Sequence, residues 1–176
     1  MRATCVTSSL LLGLLLTPLF SNAASDTAAD VLRLALPAAA WGLSQTEQTD
    51  DGAWMFYKSF ATTIVSTQLL KSTISAPRPD GSDDKGFPSG HASMAFQGAA
   101  FMQRRYGWAY GAPAYALATY VGYSRVDNRH HYSKDVLAGA VLGIASSYLF
   151  TDPATNWQLQ PLLSSNQLGL QLSGVF

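Results

Sequence analysis

An all-α bundle of about five to six helices, followed by a short irregular or hairpin tail, is the fold class this sequence predicts. Three observations predict it. Apolar and small residues recur in stretches of helical length, each bounded by proline, glycine or a polar loop. Hydrophobic residues make up 48% of the chain and charged residues 12%, about half the roughly 25% usual in soluble domains. Alternation of period two is confined to the last residues, where Leu168, Leu170 and Leu172 alternate with other types.

The elements follow in order. Arg2 is the only charge before Asp26, and Leu10 to Phe20 is an apolar run too short to span a bilayer well. Ser21, Asn22 and Ala23 supply the small residues a signal peptidase reads, so residues 1–23 are expected to be an export leader cleaved after Ala23. An uncleaved anchor is the other reading. Cys5 lies before the apolar run, the wrong place for a lipid-modified cysteine. The cleaved chain would hold no cysteine, which suits an oxidising compartment. The rest divides into a helical domain over 24–152 and an extended tail over 153–176.

Within the domain, Asp26 to Ser44 reads as a helix with an Ala/Leu face, and Gln45 to Gly52 as a polar loop. Ala53 to Ser75 reads as a longer helix carrying Lys58 and Lys71, ended by Pro77 and Pro79. Asp80 to Phe87 is rich in turn formers. Pro88-Ser89-Gly90 opens a helix running to about Arg105, with Ser89 as its N-cap. Tyr106 to Ser124 carries no charge, but Gly107, Gly111, Pro113 and Gly122 interrupt it, so its helix is expected to start near Pro113. Its tyrosines (Tyr106, Tyr110, Tyr115, Tyr120 and Tyr123) suit a core or an interfacial belt. Tyr132 to Phe150 is a helix of small residues, Gly139 and Gly143 among them, built for close packing. One or two strands cannot close a barrel, so the tail is expected to be a hairpin or an extended flap.

Composition excludes several function classes. Eleven basic and eleven acidic side chains leave no net charge, and no basic cluster marks a nucleic-acid binder. The hydrophobic content excludes a disordered chain, and a single cysteine excludes a disulfide-stapled miniprotein.

Histidine is scarce, and its placement is informative. His91, His130 and His131 all lie at junctions between polar loops and helices. Asp135 is four residues after His131, on the same helical face, where it can accept a hydrogen bond from one ring nitrogen and leave the other as a nucleophile. Taken alone, the pair reads more simply as a solvated histidine beside an incidental carboxylate. Pro88-Ser89-Gly90-His91 heads a helix, whose unpaired N–H groups bind anions. The Ser89 hydroxyl can join them, and protonated His91 can hand a proton to a departing oxygen. Lys71 sits near a helix C-terminus, where a cation is favourable in any case. Arg78, between Pro77 and Pro79, is a stiffly held fork for phosphate oxygens. A metal site built from His130, His131 and Asp135 with Asp83 or Asp84 is the rival reading, opposed by the repulsion of Lys71, Arg78 and Arg125.

Together these blocks run Lys71, six residues, Arg78-Pro79; then Pro88-Ser89-Gly90-His91; then Ser124-Arg125, five residues, His131, three residues, Asp135. This order resembles the three-part signature of the type 2 phosphatidic acid phosphatase superfamily, which includes vanadium-dependent haloperoxidases and bacterial nonspecific acid phosphatases. Each signature position between Lys71 and Asp135 is matched in type and spacing. One block is weakly specific; three in order are strongly so.

The resemblance implies a helical, metal-independent phosphatase. In it His131 forms a phosphohistidine, Asp135 orients His131, and His91 protonates the leaving alcohol and later helps activate water. Lys71, Arg78, Arg125, the Ser89 hydroxyl and the Gly90 N–H would hold the phosphate oxygens. It implies no cofactor, and vanadate as a phosphate-mimicking inhibitor. His130 is not the nucleophile, because the family spacing selects His131. The expected substrates are phosphate monoesters or diphosphates of lipids: phosphatidic acid, phosphatidylglycerophosphate or a polyprenyl diphosphate. Low charge and tyrosine-rich apolar helices favour a lipid over a soluble ester. A nonspecific acid phosphatase acting on small phosphoesters, a vanadate-dependent haloperoxidase and a non-catalytic binder of anionic lipid headgroups are the alternatives. The expected setting is the periplasm, in contact with a membrane surface, because most apolar runs are shorter than the ~20 residues a span needs. With each imidazole near its ordinary value of about 6.5, a bell-shaped rate with a mildly acidic to neutral optimum is expected.

Overall fold

The computed structural model describes residues 22–47, 51–154, 158–164 and 167–173. Residues 1–21 of the expected leader lie outside them, and the expected cleavage point after Ala23 falls in the first turn of the first helix. The elements are α1 (Asn22–Ser44), α2 (Asp51–Thr73), α3 (Gly90–Tyr106), α4 (Trp108–Asp127), α5 (Ser133–Phe150), β1 (Gln158–Ser164) and β2 (Gln167–Ser173). The tail is the antiparallel hairpin its alternation predicts, with Leu163 opposite Leu168.

The helix with many small side chains takes the centre. α3 packs against each of the other four helices. Ala92, Ala95, Ala99 and Ala100 are fully buried, and short side chains let the neighbours come close. Ser89 caps it from an extended backbone, its Oγ accepting from the Ala92 N–H at 3.5 Å. Gly107, at φ 86°, ends it. That left-handed conformation is open to glycine and lets α4 begin at once, without a loop.

α4 therefore starts at Trp108 and not near Pro113. Pro113 is its sixth residue, so its missing N–H removes only the bond to the Ala109 carbonyl, within the first two turns. The tyrosines divide between core and surface. Tyr106 and Tyr115 pack against the core, whereas Tyr110 and Tyr123 are exposed.

α5 lies backbone-to-backbone on α3. A Cβ at Gly139 would fall on the Ser89 carbonyl oxygen, and one at Gly143 on the Ser93 carbonyl oxygen and the Gln97 nitrogen. Buried polar side chains tie the layers further. Ser147 Oγ donates to the Gln97 carbonyl at 2.9 Å, Gln97 Nε2 donates to Ser59 Oγ at 3.0 Å, and Thr67 Oγ1 donates to Ser93 Oγ at 3.0 Å. Each such bond contributes about 1 kcal/mol net, and leaving either partner unpaired costs more. The apolar core centres on Phe56, whose ring meets Phe101 edge-on at 5.3 Å and stacks on Phe60 at 5.5 Å. At the C-terminal end of α3, Glu47 accepts from Arg105 and from the Tyr106 hydroxyl at 2.7 Å, fixing the start of the α1–α2 connection.

Among the described residues no helix is long and apolar enough to cross a membrane. Apolar side chains nevertheless face outward along several helices: Trp54, Val65 and Leu69 on α2, and Leu137, Val141 and Leu149 on α5, are each more than half exposed. The backbone contact of α3 and α5 yields a test. Gly143→Ala is expected to destabilise the fold by ~1–3 kcal/mol through overpacking. Urea unfolding reads it, and an unchanged midpoint would contradict the contact.

Candidate active site

The N-terminal end of α3 opens into a cavity of about 400 Å³. Five segments build it. α2 contributes Thr67, Gln68 and Lys71 from its last turns; Lys71 Nζ donates to the Lys85 carbonyl at 2.8 Å. Burial, and then the neighbouring Arg78, push the Lys71 ammonium below its ordinary value. The following loop folds on itself: Ala76 N–H donates to the Asp84 carbonyl at 2.8 Å, Arg78 N–H to Asp83 at 3.0 Å and Gly86 N–H to Ala76 at 2.8 Å. Arg78 is held at both ends of its fork, Nε on Asp83 Oδ1 at 2.7 Å and Nη1 on the His130 carbonyl at 3.4 Å.

The end of α4 explains the spacing between Arg125 and His131. Asn128 is the C-cap and Arg129 is left-handed, at φ 58°. Arg129 N–H donates to the Val126 carbonyl at 3.1 Å and His130 N–H to the Arg125 carbonyl at 3.0 Å, the paired bonds of a Schellman turn. His131 N–H also returns to the Arg125 carbonyl, at 3.0 Å. One carbonyl thus fixes both histidine amides relative to the Arg125 guanidinium.

His131 is buried, and its Nδ1 lies 2.8 Å from the Gly86 carbonyl. A carbonyl only accepts, so Nδ1 carries the hydrogen and Nε2 keeps its lone pair. Burial, followed by the charges of Arg78 and Lys71, lowers the imidazole to about 4, so it is neutral at pH 7. The hydrogen bond expected from Asp135 is not formed. Asp135 Oδ2 stands 3.9 Å from Nδ1 and accepts instead from the Tyr132 N–H at 2.9 Å, capping α5. Gly86 holds the tautomer, and Asp135 stands beside the ring without a hydrogen bond to it. Since any residue has a carbonyl, nothing in the sequence marks Gly86 for this part.

His91 directs Nε2 at Asp30 Oδ1, 2.6 Å away. The carboxylate accepts, so the hydrogen lies on Nε2. Burial lowers His91 to about 4 against the opposing pull of Asp30. Arg125 is buried; its Nη2 donates to Asp26 Oδ1 at 2.7 Å, its Nη1 is 3.9 Å from Asp30 Oδ1, and its Nε has no partner among the described residues. His130 sits between two carboxylates, Asp80 at Nδ1 and Asp26 at Nε2, both at 3.1 Å.

Of the eight residues singled out in the sequence, Lys71, Arg78, Gly90, His91, Arg125 and His131 line this cavity, and Ser89 and Asp135 do not. Ser89 is wholly buried because its hydroxyl is engaged in capping α3. At Gly90 an added Cβ would make only ordinary contacts, with Lys71 and Thr67 near 3.9 Å, so glycine there keeps the cavity open and is not demanded by the backbone. Sequence reasoning missed α1. Asp26, Asp30 and Arg33 fall at i, i+4 and i+7 on one face of that helix, a visible spacing whose target only the fold reveals. Among the described residues, no group of three His, Cys, Asp or Glu side chains could hold a metal ion.

A helical bundle with this cationic cavity at the head of its central helix defines a class of phosphate-handling proteins. The chain belongs to the PAP2 superfamily, whose model matches residues 7–157. It is 38% identical to the lipid A 4'-phosphatase of Helicobacter pylori over 102 residues, 57% of this chain and 52% of that protein. It is 38% identical to the lipid A 1-phosphatase of Porphyromonas gingivalis over 88 residues, 43% of this chain and 20% of that one. The chain therefore spans about half or less of the length of these curated relatives. Among solved structures, Aquifex aeolicus LpxE superposes with a TM-score of 0.63 at 20% identity, over 73% of this chain and 83% of that one. A transmembrane PAP2-type phosphatidylglycerolphosphate phosphatase from Bacillus subtilis superposes with a TM-score of 0.59 at 26% identity, over 73% and 74%.

The turn after α4 yields a prediction. Exposed Arg129 holds a left-handed conformation that costs a non-glycine residue roughly 1–2 kcal/mol. Arg129→Gly relieves this but gains unfolded-state entropy, so a net stabilisation of ~0.5–1 kcal/mol is expected. A thermal melt checks it; destabilisation would contradict the turn.

Proposed function

We propose that this protein is a metal-independent phosphatase acting on phosphorylated lipids through a phosphohistidine. The observation that carries the proposal is the His131 tautomer. Gly86 holds the hydrogen on Nδ1, burial keeps the ring neutral, and the Nε2 lone pair is left for attack beside Lys71, Arg78 and Arg125. Phosphoryl transfer asks chiefly for positioning and for charge aimed at the moving group. In the first step a bond forms from Nε2 to phosphorus as the bond to the leaving oxygen breaks, and the proton on His91 Nε2 goes to that oxygen. In the second step water attacks phosphorus, its proton passes to His91, and the phosphorus–nitrogen bond breaks to release phosphate. Lys71, Arg78, Arg125 and the Gly90 N–H balance the equatorial oxygens, and Asp135 stabilises the charge on His131. Vanadate fits the same cavity as a competitive inhibitor.

The lipid class rests on two supports. The curated relatives are named lipid A phosphatases. The cavity wall also includes Ile64 and Met94, and exposed Leu34 on α1 and Val65 and Leu69 on α2 lie beside lining positions in sequence. Exposed apolar side chains on the helices that form a polar cavity suit a lipid surface, with the headgroup inside and the chains outside. Export, and work at the membrane surface from the periplasmic side, belong to the same proposal. A panel of lipid and soluble phosphoesters tests the class, and a preference for soluble esters would replace it with a nonspecific acid phosphatase.

His131→Ala is expected to lower turnover by on the order of 10³-fold or more. His130→Ala is expected to keep most of it, because both His130 nitrogens face carboxylates. The reverse ranking would break the assignment. The pH profile is a second measurement. His131 must be neutral and His91 charged, and both are lowered to about 4, so the bell in kcat/KM lies on the acid side of the ordinary value of about 6.5. Bound phosphate favours both imidazolium forms, so the bell in kcat sits at higher pH than that in kcat/KM. A kcat/KM optimum above neutrality would contradict this.

A further inference from the structure

One carboxylate oxygen reports a seat that the three-part signature does not contain. Asp30 Oδ1 is 2.6 Å from His91 Nε2, 3.8 Å from Arg33 Nε and 3.9 Å from Arg125 Nη1. Three cationic or proton-bearing groups from three helices thus converge on a single oxyanion. Two of them have donors to spare: Arg33 Nε and Arg125 Nε are buried atoms without a hydrogen-bond partner among the described residues. Arg33 lines the cavity and its side chain is 36% exposed, so it stands at the mouth and not in the core.

The position of the seat gives it meaning. Under the phosphatase reading, on which this inference rests, the hydrogen on His91 Nε2 passes to the leaving oxygen. Arg33 then lies on the leaving-group side of phosphorus, away from Lys71 and Arg78, which flank the nucleophile. A cation there has little to act on when the leaving group is a neutral alcohol. It has a full negative charge to act on when the leaving oxygen bridges to a second phosphoryl group.

We infer that Arg33 is a substrate-binding residue that selects diphosphate esters, holding the second phosphoryl group while His131 attacks the terminal one, and that Asp30 is the internal counter-ion it exchanges for that group. The bond that breaks joins terminal phosphorus to the bridging oxygen. The His91 proton goes to that oxygen, and the leaving group departs as a phosphate monoester.

The test compares full-length wild type with Arg33→Gln, Arg33→Lys and Asp30→Asn on a short-chain alkyl diphosphate and the chain-matched alkyl monophosphate. One charge-assisted contact sets the scale: Arg33→Gln should lower the diphosphate-to-monophosphate ratio of kcat/KM about tenfold or more. Arg33→Lys should recover part of that ratio, which a merely structural role for Arg33 would not do. Asp30→Asn should tighten the binding of inorganic pyrophosphate more than that of inorganic phosphate, read by calorimetry. An unchanged ratio in Arg33→Gln, or equal losses on both esters, overturns the inference. The calorimetric arm separates it from the phosphatase reading. If wild type cleaves neither ester yet binds pyrophosphate in preference to phosphate, and Arg33→Gln abolishes that preference, the seat stands and catalysis falls. If the esters are cleaved but Arg33→Gln leaves the pyrophosphate preference intact, the seat falls and catalysis stands.

Discussion

Like charges gathered in a half-buried cavity are the constraint on which the rest of this structure depends. Lys71, Arg78, Arg125 and Arg33 border one space of about 400 Å³. Their mutual repulsion, strengthened by partial desolvation, must be offset by the fold itself. Asp83 answers Arg78, Asp26 answers Arg125, and Asp30 stands between Arg125 and Arg33. Lys71 donates to a backbone carbonyl, and burial, then the Arg78 charge, holds its ammonium below its ordinary value. Burial, followed by the charges of Arg78 and Lys71, likewise lowers the His131 imidazole to about 4, so a neutral ring sits among these cations.

Holding such groups in register is a backbone task. The Schellman turn after α4 lets a single carbonyl, that of Arg125, accept the amides of both His130 and His131. The carbonyl of Gly86 then sets the imidazole tautomer, and the carbonyl of Asp135 accepts the Ser89 N–H at 2.9 Å, joining the start of α5 to the start of α3. The close approach of α3 and α5 through Gly139 brings those two helix starts together. Packing in the bundle and placement of the His131 ring are therefore one mechanical problem, solved by glycine and by main-chain acceptors.

α1 changes how the family signature is understood in this chain. The three blocks supply two cavity-lining histidines and three cations, but they leave part of the cavity to another segment. Arg33 lines that part of the cavity, and behind it Asp26 accepts from Arg125 while Asp30 accepts from His91 and pairs with Arg33. Exposed apolar side chains, Val31 and Leu34 on α1 and Val65 and Leu69 on α2, belong to two of the helices that line the cavity.

Much was legible in the chain itself. Proline, glycine and capping signals mark the helix boundaries to within a few residues, because those signals act locally; Ser89 as an N-cap and Pro77 as a stop are examples. α4 starts ahead of the expected Pro113 because a left-handed Gly107 makes a loop unnecessary, and that conformation is not written in residue type. The identities and spacing of Lys71, Arg78, His91, Arg125 and His131 pointed to phosphate chemistry, since charge and protonation belong to side chains. What tertiary structure alone decided were the partners. Gly86 and not Asp135 bonds His131, Ser89 serves its own helix, and α1 supplies the counter-charges. Main-chain acceptors carry no sequence signature, and contacts across 61 residues, as between Asp30 and His91, exist only once helices have packed.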